Sequence, residues 1–302
     1  MPARADERIV AGPRRWYAAL WVAPLVFALL VTTVYPTLFL IALATTKSTL
    51  GKPFRSFLGL KNITGALLDP AFQAAVWKGV AFAFASAAAE LVVGFALASL
   101  FVGLMKAGRY LLIVVLLPLM TPPVMVGVAW KLILAPSGGL LNGVLMGWGI
   151  TDAPISFLAT PVPAWLSVGV ADLWQWVPFV TILCFAALVS LPEGVHEASL
   201  IDGAGAWQRL RHITLPLVAA PLASIFLLKL IIGFKLFDLV YVLTFGGPGL
   251  TTTNATFSIW RLALEQFDVG KAAAQTLIYA VVISIVTIPV LRLHRLASER
   301  AS

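Results

Sequence analysis

The chain has 302 residues, of which 60% are hydrophobic and only 11% charged, against roughly 25% charged in an ordinary soluble domain, and this excludes a globule dissolved in water. The formal net charge is +8, yet the basic residues cluster at the ends of apolar runs and not on one continuous face, so they read as topology signals and not as a nucleic-acid surface. The single cysteine, Cys184, lies in an apolar stretch, which excludes an internal disulfide framework and a thiolate metal cluster.

Residues 1–15 carry Arg4, Arg8, Arg14 and Arg15 and are expected to form a cytoplasmic tail. The apolar run that follows is far longer than the hydrophobic region of a cleavable signal, so a retained first span is expected over 16–45. A connection over 46–71 comes next. A hydrocarbon core about 30 Å thick needs roughly 20 apolar residues in a helix, and further runs approaching or exceeding that lie near 79–105, 111–134, 164–188, 217–244 and 272–291. Backbone groups in lipid must be satisfied within the segment, and runs of this length without alternation are helices and not barrel strands. The expected fold is therefore all-α: a polytopic membrane protein of six transmembrane helices, with a core over 72–293 and a second tail over 294–302.

Orientation follows from Lys and Arg outside the spans. Eleven fall on the side that holds both termini (Arg4, Arg8, Arg14, Arg15, Lys106, Arg109, Arg209, Arg211, Arg292, Arg295, Arg300) and seven on the other (Lys47, Lys52, Arg55, Lys61, Lys131, Arg261, Lys271). The positive-inside rule puts the termini in the cytoplasm. The opposite side carries three longer connections, near 45–71, 135–163 and 245–271, rich in Gly, Pro, Thr and aromatics and suited to receiving a partner. On the cytoplasmic side the segment 190–216 stands out as long and polar.

No Gly-x-x-x-x-Gly-Lys-Ser/Thr phosphate loop occurs, and His196, His212 and His294 have no metal-ligand spacing; no nucleophile elbow or Cys/His pair is present. Enzyme activity and a cofactor bound by this chain are not expected. The segment from Glu197 to Pro216 reads as two short helices around a glycine hinge. Glu193 and Glu197 sit four apart on the first, Gly203 permits the turn, Asp202 is placed to cap the second, and Pro216 marks entry into the next span. Such a loop is a docking knob; the plainer alternative is a solvated connector.

Glu197-Ala198-Ser199, three residues, Gly203, nine residues, then Ile213-x-Leu215-Pro216 resembles the EAA signature of permease subunits of bacterial binding-protein-dependent ABC importers, with Ser199 where the third position is usually Ala. Phe234-Lys235-Leu236-Phe237-Asp238, the stretch Leu243 to Gly249, and Asp172 to Phe179 are similar to the carbohydrate-importing branch. The resemblance implies a type I ABC importer transmembrane domain in the bacterial inner membrane. It also implies a second, related permease subunit, two ATPase subunits that bind ATP and Mg²⁺, and an extracytoplasmic solute-binding protein. Glu197, Ala198, Ser199, Asp202, Gly203, Ala204 and Trp207 would then form the coupling helix seated on the ATPase. The solute would be a sugar or sugar derivative: an oligosaccharide, a polyol or glycerol phosphate. Transport would proceed by alternating access.

Candidate solute contacts come from polar and aromatic residues within the spans. An ionisable group in hydrocarbon costs about 2.5–3.5 kcal/mol on insertion scales and must face protein or water. Glu90, Asp172, Lys229, Lys235 and Asp238 meet that condition, with interhelix ion pairing or snorkelling as alternatives and Lys235 with Asp238 as a possible i, i+3 pair. Trp174, Gln175, Trp176 and Phe179 cluster around Pro178, which is expected to break its helix and open a cavity where a pyranose face stacks on a ring. By resemblance, positions near Trp176, Phe179, Lys229, Gly233 and Leu236 match sugar contacts. Trp16, Trp21, Trp148 and Trp165 read as interface anchors. The competing class is a secondary transporter or channel working without an ATPase.

Overall fold

In this computed structural model the described residues are 15–104, 114–192, 194, 199 and 201–301. A helix α1 (Arg15–Leu29) continues through a π-type turn (Leu30–Val34) into α2 (Tyr35–Ala44). Most of this run from Leu20 on keeps its apolar side chains exposed, Trp21 at 86% among them, and between residues 20 and 44 only Leu43 and Ala44 are buried. Lipid is the solvent that such a surface requires. At one end of the bundle follow a hairpin, β1 (Thr46–Thr49) and β2 (Lys52–Phe57), and a short helix α3 (Lys61–Leu68). Only a connection is expected here from the sequence, because Thr46–Thr49 and Lys52–Phe57 show no clean alternation. The hairpin is braced by the buried amide of Asn62, which donates to Ala44 O at 3.0 Å and Thr46 O at 2.9 Å.

The centre of the bundle is α4 (Pro70–Gly103), packed along α7 (Pro161–Val189) and crossed by α9 (Ala219–Gly233). Asp69 caps α4 by accepting the Ala71 N–H at 2.9 Å, and Pro70 occupies the first turn, where its missing donor is no loss. The buried face of α4 carries Ala83, Ala87, Glu90, Gly94 and Ala98, spaced by three and four residues. Small residues let helix backbones approach where lipid supplies no hydrophobic drive. A Cβ on Gly94 would stand 2.7 Å from Val180 Cγ1 on α7, and one on Gly233 would stand 3.0 Å from Ala83 Cα on α4. The last helix, α11 (Val269–Ala301), packs against α2, α3 and α9, with Tyr279, Ala273 and Ala274 in one cluster with Phe72, Leu230 and Phe234.

Four helical runs among the described residues are long and apolar enough to cross a membrane: Leu20–Ala44, Pro70–Gly103, Pro161–Val189 and Val269–Arg292. Two bent pairs, each taken as one span, bring the number to six. Val114–Met120 meets α5 (Pro123–Ile133) at 105°, and Ala206–Leu217, which includes α8 (Ala206–Arg209), meets α9 at 70°. A short helix α6 (Leu140–Gly147) lies between α5 and α7, and α10 (Ala255–Trp260) precedes α11. The polytopic all-α architecture expected from the sequence is thus present, but the third and fifth spans are interrupted. Pro178, expected to break its helix, lies inside an α7 that runs through it. The third span is interrupted instead at Thr121–Pro122, and the fifth, besides its bend at Val218, is interrupted at 234–237, ahead of a π-type turn, Val240–Thr244.

Candidate functional site

Both interruptions border one cavity of about 270 Å³, lined by Pro123 from α5, Asp172, Gln175 and Trp176 from α7, and Ile232 to Leu239 apart from Phe234. At the first break Pro122 and Pro123 supply no N–H, and Gln175 on α7 donates its side-chain amide to Thr121 O at 3.1 Å. At the second, the buried Tyr279 hydroxyl donates to Phe234 O at 2.9 Å and the buried Asn254 amide donates to Leu236 O at 2.6 Å. Thr256 also donates to Leu236 O. Irregular backbone at membrane depth persists only where protein or a cavity satisfies it, and interrupted helices are where transporters place their binding groups.

Of the sequence-selected solute residues, the cavity brings together Gln175, Trp176, Gly233, Lys235, Leu236 and Asp238. Gly233 is there because α4 and α9 touch at that level. Lys235 and Asp238 are not an ion pair: among the described residues the pairs are those of Lys229 with Glu90 and Asp172, of Arg261 with Glu265 and of Lys271 with Asp268. Trp174 is not brought in; it is 44% exposed and meets Trp130 edge-on. Phe179 turns into an apolar cluster with Ala98, Val180, Cys184 and Ile225. Trp165 is more than an anchor, since its indole N–H donates to Thr251 O at 3.2 Å.

Lys229 is behind the cavity wall, 1% exposed, with Nζ 3.0 Å from Glu90 Oε2, 3.7 Å from Asp172 Oδ2 and 4.7 Å from the centre of the Trp176 ring. Three helices, α4, α7 and α9, contribute to this cluster. Larger hollows exist, of about 580 Å³ beside α6 and about 570 Å³ between α4 and α7. The first gathers no charged side chain and the second, apart from Lys78 and Ser86, has a wall of apolar and small residues, so neither matches the chemistry of the smaller cavity.

Ahead of α9, at the start of the run that meets it at 70°, lies the segment singled out by its glycine. Gly203 has φ +72°, in the left-handed region that favours glycine. Ala204 N–H donates to Ser199 O at 3.0 Å and Arg209 donates to Ala204 O at 2.9 Å, which close the turn. The cap of α8 is not Asp202: residue Gly205 occupies that position, and its N–H donates to Gln208 Oε1 at 2.9 Å, while Asp202 is exposed. Ser199 is buried, whereas Trp207 is 69% and Ile201 86% exposed. Ile201 was not selected from the sequence, although an isoleucine beside a glycine turn in a polar loop was the available signal. Glu193, Glu197 and Ala198 lie outside the described residues.

Residues 79–302 match the family described as binding-protein-dependent transport system inner membrane component. The trehalose/maltose transport system permease protein MalF of Thermococcus litoralis is 33% identical over 251 residues, 83% of each chain. The sulfoquinovosyl glycerol transport system permease protein SmoG of Agrobacterium fabrum is 27% identical over 301 residues, 97% of each chain. In fold, the chain is similar to one from a bacterial ABC transporter involved in the import of the acidic polysaccharide alginate, with a TM-score of 0.81 at 21% identity over 93% of this chain and 96% of that one.

Proposed function

From the fact that this chain belongs to the family of inner membrane components of binding-protein-dependent transport systems, we propose that it is the permease subunit of an ATP-driven importer of a sugar or sugar derivative. The observation that carries this reading is that the helical run Ala206–Leu217 leads from the exposed glycine-turn segment through a 70° bend into α9, whose far end borders the cavity between the two broken spans. The 15 residues of α9 span about 22 Å at 1.5 Å per residue. A bent helical pair, Ala206–Leu217 and α9, therefore connects a surface that offers Ile201 and Trp207 to a wall that offers Trp176, Gln175 and Asp238. Closure of a partner ATPase on the loop would move α9 as a lever and change access to the cavity.

A cavity of about 270 Å³ is slightly smaller than the about 300–1,000 Å³ typical of small-molecule sites. It has room for about one sugar ring stacked on Trp176, with carboxylate and amide groups for its hydroxyls. A longer solute would extend beyond this chain into a second permease subunit. Relatives named for trehalose/maltose and sulfoquinovosyl glycerol transport support the sugar class. Both termini would be cytoplasmic, with the loop over 190–216 facing the ATPase and the hairpin end facing the solute-binding protein.

The test is ATP hydrolysis and solute uptake by the assembled complex in lipid vesicles. Loaded binding protein is expected to stimulate hydrolysis, and Trp207→Asp, which places a charge at the docking surface, is expected to abolish that stimulation while the chain still assembles. Unchanged stimulation in Trp207→Asp would remove the coupling role from this loop. Uptake in vesicles that contain no ATPase would favour a secondary transporter.

A further inference from the structure

Glu90 is wholly buried on α4 and does not line the cavity, yet it is the nearest anion to Lys229, at 3.0 Å. Asp172, the second carboxylate at 3.7 Å, does line it, as does Trp176, whose ring is the ammonium's other neighbour. Lys229 thus has one partner behind the wall and two in the wall. An ammonium in a low-dielectric interior stays with whatever anion or ring face is in reach. With Glu90 removed, both of its remaining partners belong to the cavity. Glu90 therefore holds the positive charge away from the solute side.

We propose that Glu90 is a specificity-determining positioning residue: by withholding Lys229 it leaves Asp172 and Asp238 facing the solute with Lys235 as the lining cation, so that the cavity takes neutral polyhydroxylated rings and rejects anionic ones. This rests on the cavity being the solute path. The cluster contains two carboxyl groups and one ammonium, so Lys229 has its counter-charge within it. Hydroxyl groups of a neutral ring donate to the lining carboxylates, whereas a solute carboxylate, sulfonate or phosphate meets like charge.

The test is saturation-transfer NMR on the assembled permease–ATPase complex in lipid nanodiscs without binding protein. The probes are methyl pyranosides of the gluco, galacto and manno series, each beside its uronide, which differs by a carboxylate in place of a hydroxymethyl group. Wild type is expected to give transfer to at least one neutral pyranoside and about tenfold weaker apparent affinity for its uronide. Glu90→Gln is expected to raise uronide affinity, and Glu90→Gln combined with Lys229→Gln to return the preference to neutral rings. A purely structural role predicts additive damage in the double variant and no reversal. Equal transfer to both members of a pair in wild type, or no transfer to any probe, overturns the proposal, and the first of these results stands even where Glu90→Gln fails to assemble. Stimulation of ATP hydrolysis by loaded binding protein, read on the same preparation, reports separately on the importer reading.

Discussion

The two interrupted spans reach the same cavity by different physics. At Thr121–Pro122 the interruption is written into the chain: two consecutive prolines remove their own donors, and the exposed carbonyl of Thr121 needs one tether, the amide of Gln175. Between α9 and the turn Val240–Thr244 no proline is present. That break persists because Tyr279, Asn254 and Thr256, all distant in sequence, accept the cost of freeing Phe234 O and Leu236 O by donating to them. A break made by local covalent geometry needs little help, and one made by tertiary partners depends on every partner.

The largest effect is therefore expected at Asn254. It is 2% exposed, donates to Leu236 O and also caps α10 by accepting the Phe257 N–H at 3.0 Å. Asn254→Ala loses a cap, typically about 1 kcal/mol, and a buried hydrogen bond of similar size. A loss of about 2 kcal/mol in unfolding free energy of the detergent-purified complex is expected, with Asn254→Asp recovering the cap and not the amide donor. A loss no larger than that of a surface substitution would show that the second break does not depend on its partners.

Tyr279→Phe comes next. The hydroxyl is lost while the ring remains against Phe234, edge-on at 6.5 Å. Phe234 is 2% exposed and, unlike Gly233 and Lys235 on either side, does not line the cavity, so water is not expected to replace the donor. Interhelix hydrogen bonds in membrane proteins average about 0.6 kcal/mol and reach about 1.7, and the upper part of that range is expected here, measured by the same unfolding experiment.

The contrast also explains what was legible in the sequence. Six apolar runs, the glycine at 203 and the EAA spacing were readable because each signal is local: length, a left-handed turn, a fixed register. Gln175, Trp176, Lys235 and Asp238 were readable as unusual residues within apolar runs. The breaks were not placed correctly, because Pro178 is a conspicuous proline that a well-packed helix absorbs, whereas the second break is encoded by Asn254 and Tyr279, whose effect on residues 234–236 exists only after folding. Trp174, two residues from Trp176, points to a different side of the helix, whereas Phe179 stays edge-on to Trp176 at 6.1 Å but packs in the apolar cluster with Cys184 and does not line the cavity. Lys229 was recognised as an expensive intramembrane charge, but nothing local showed that Glu90, more than a hundred residues earlier, would hold it behind the wall.

The smallest stability effect is expected at Gln175, and it separates holding a break from serving a cavity. Gln175→Leu deletes the tether to Thr121 O, but that carbonyl adjoins the cavity through Gln175 itself and Pro123, so water can take the amide's place. A stability change near the average of about 0.6 kcal/mol is expected. Transport is expected to suffer more, because the same side chain is one of the polar groups of the cavity wall: a raised apparent KM for solute with ATP hydrolysis still stimulated by the binding protein. If unfolding free energy fell as much as in Tyr279→Phe while KM stayed constant, Gln175 would be a strut for the break and not part of the solute path, and the proline-made interruption would depend on its partner as strongly as the other one does.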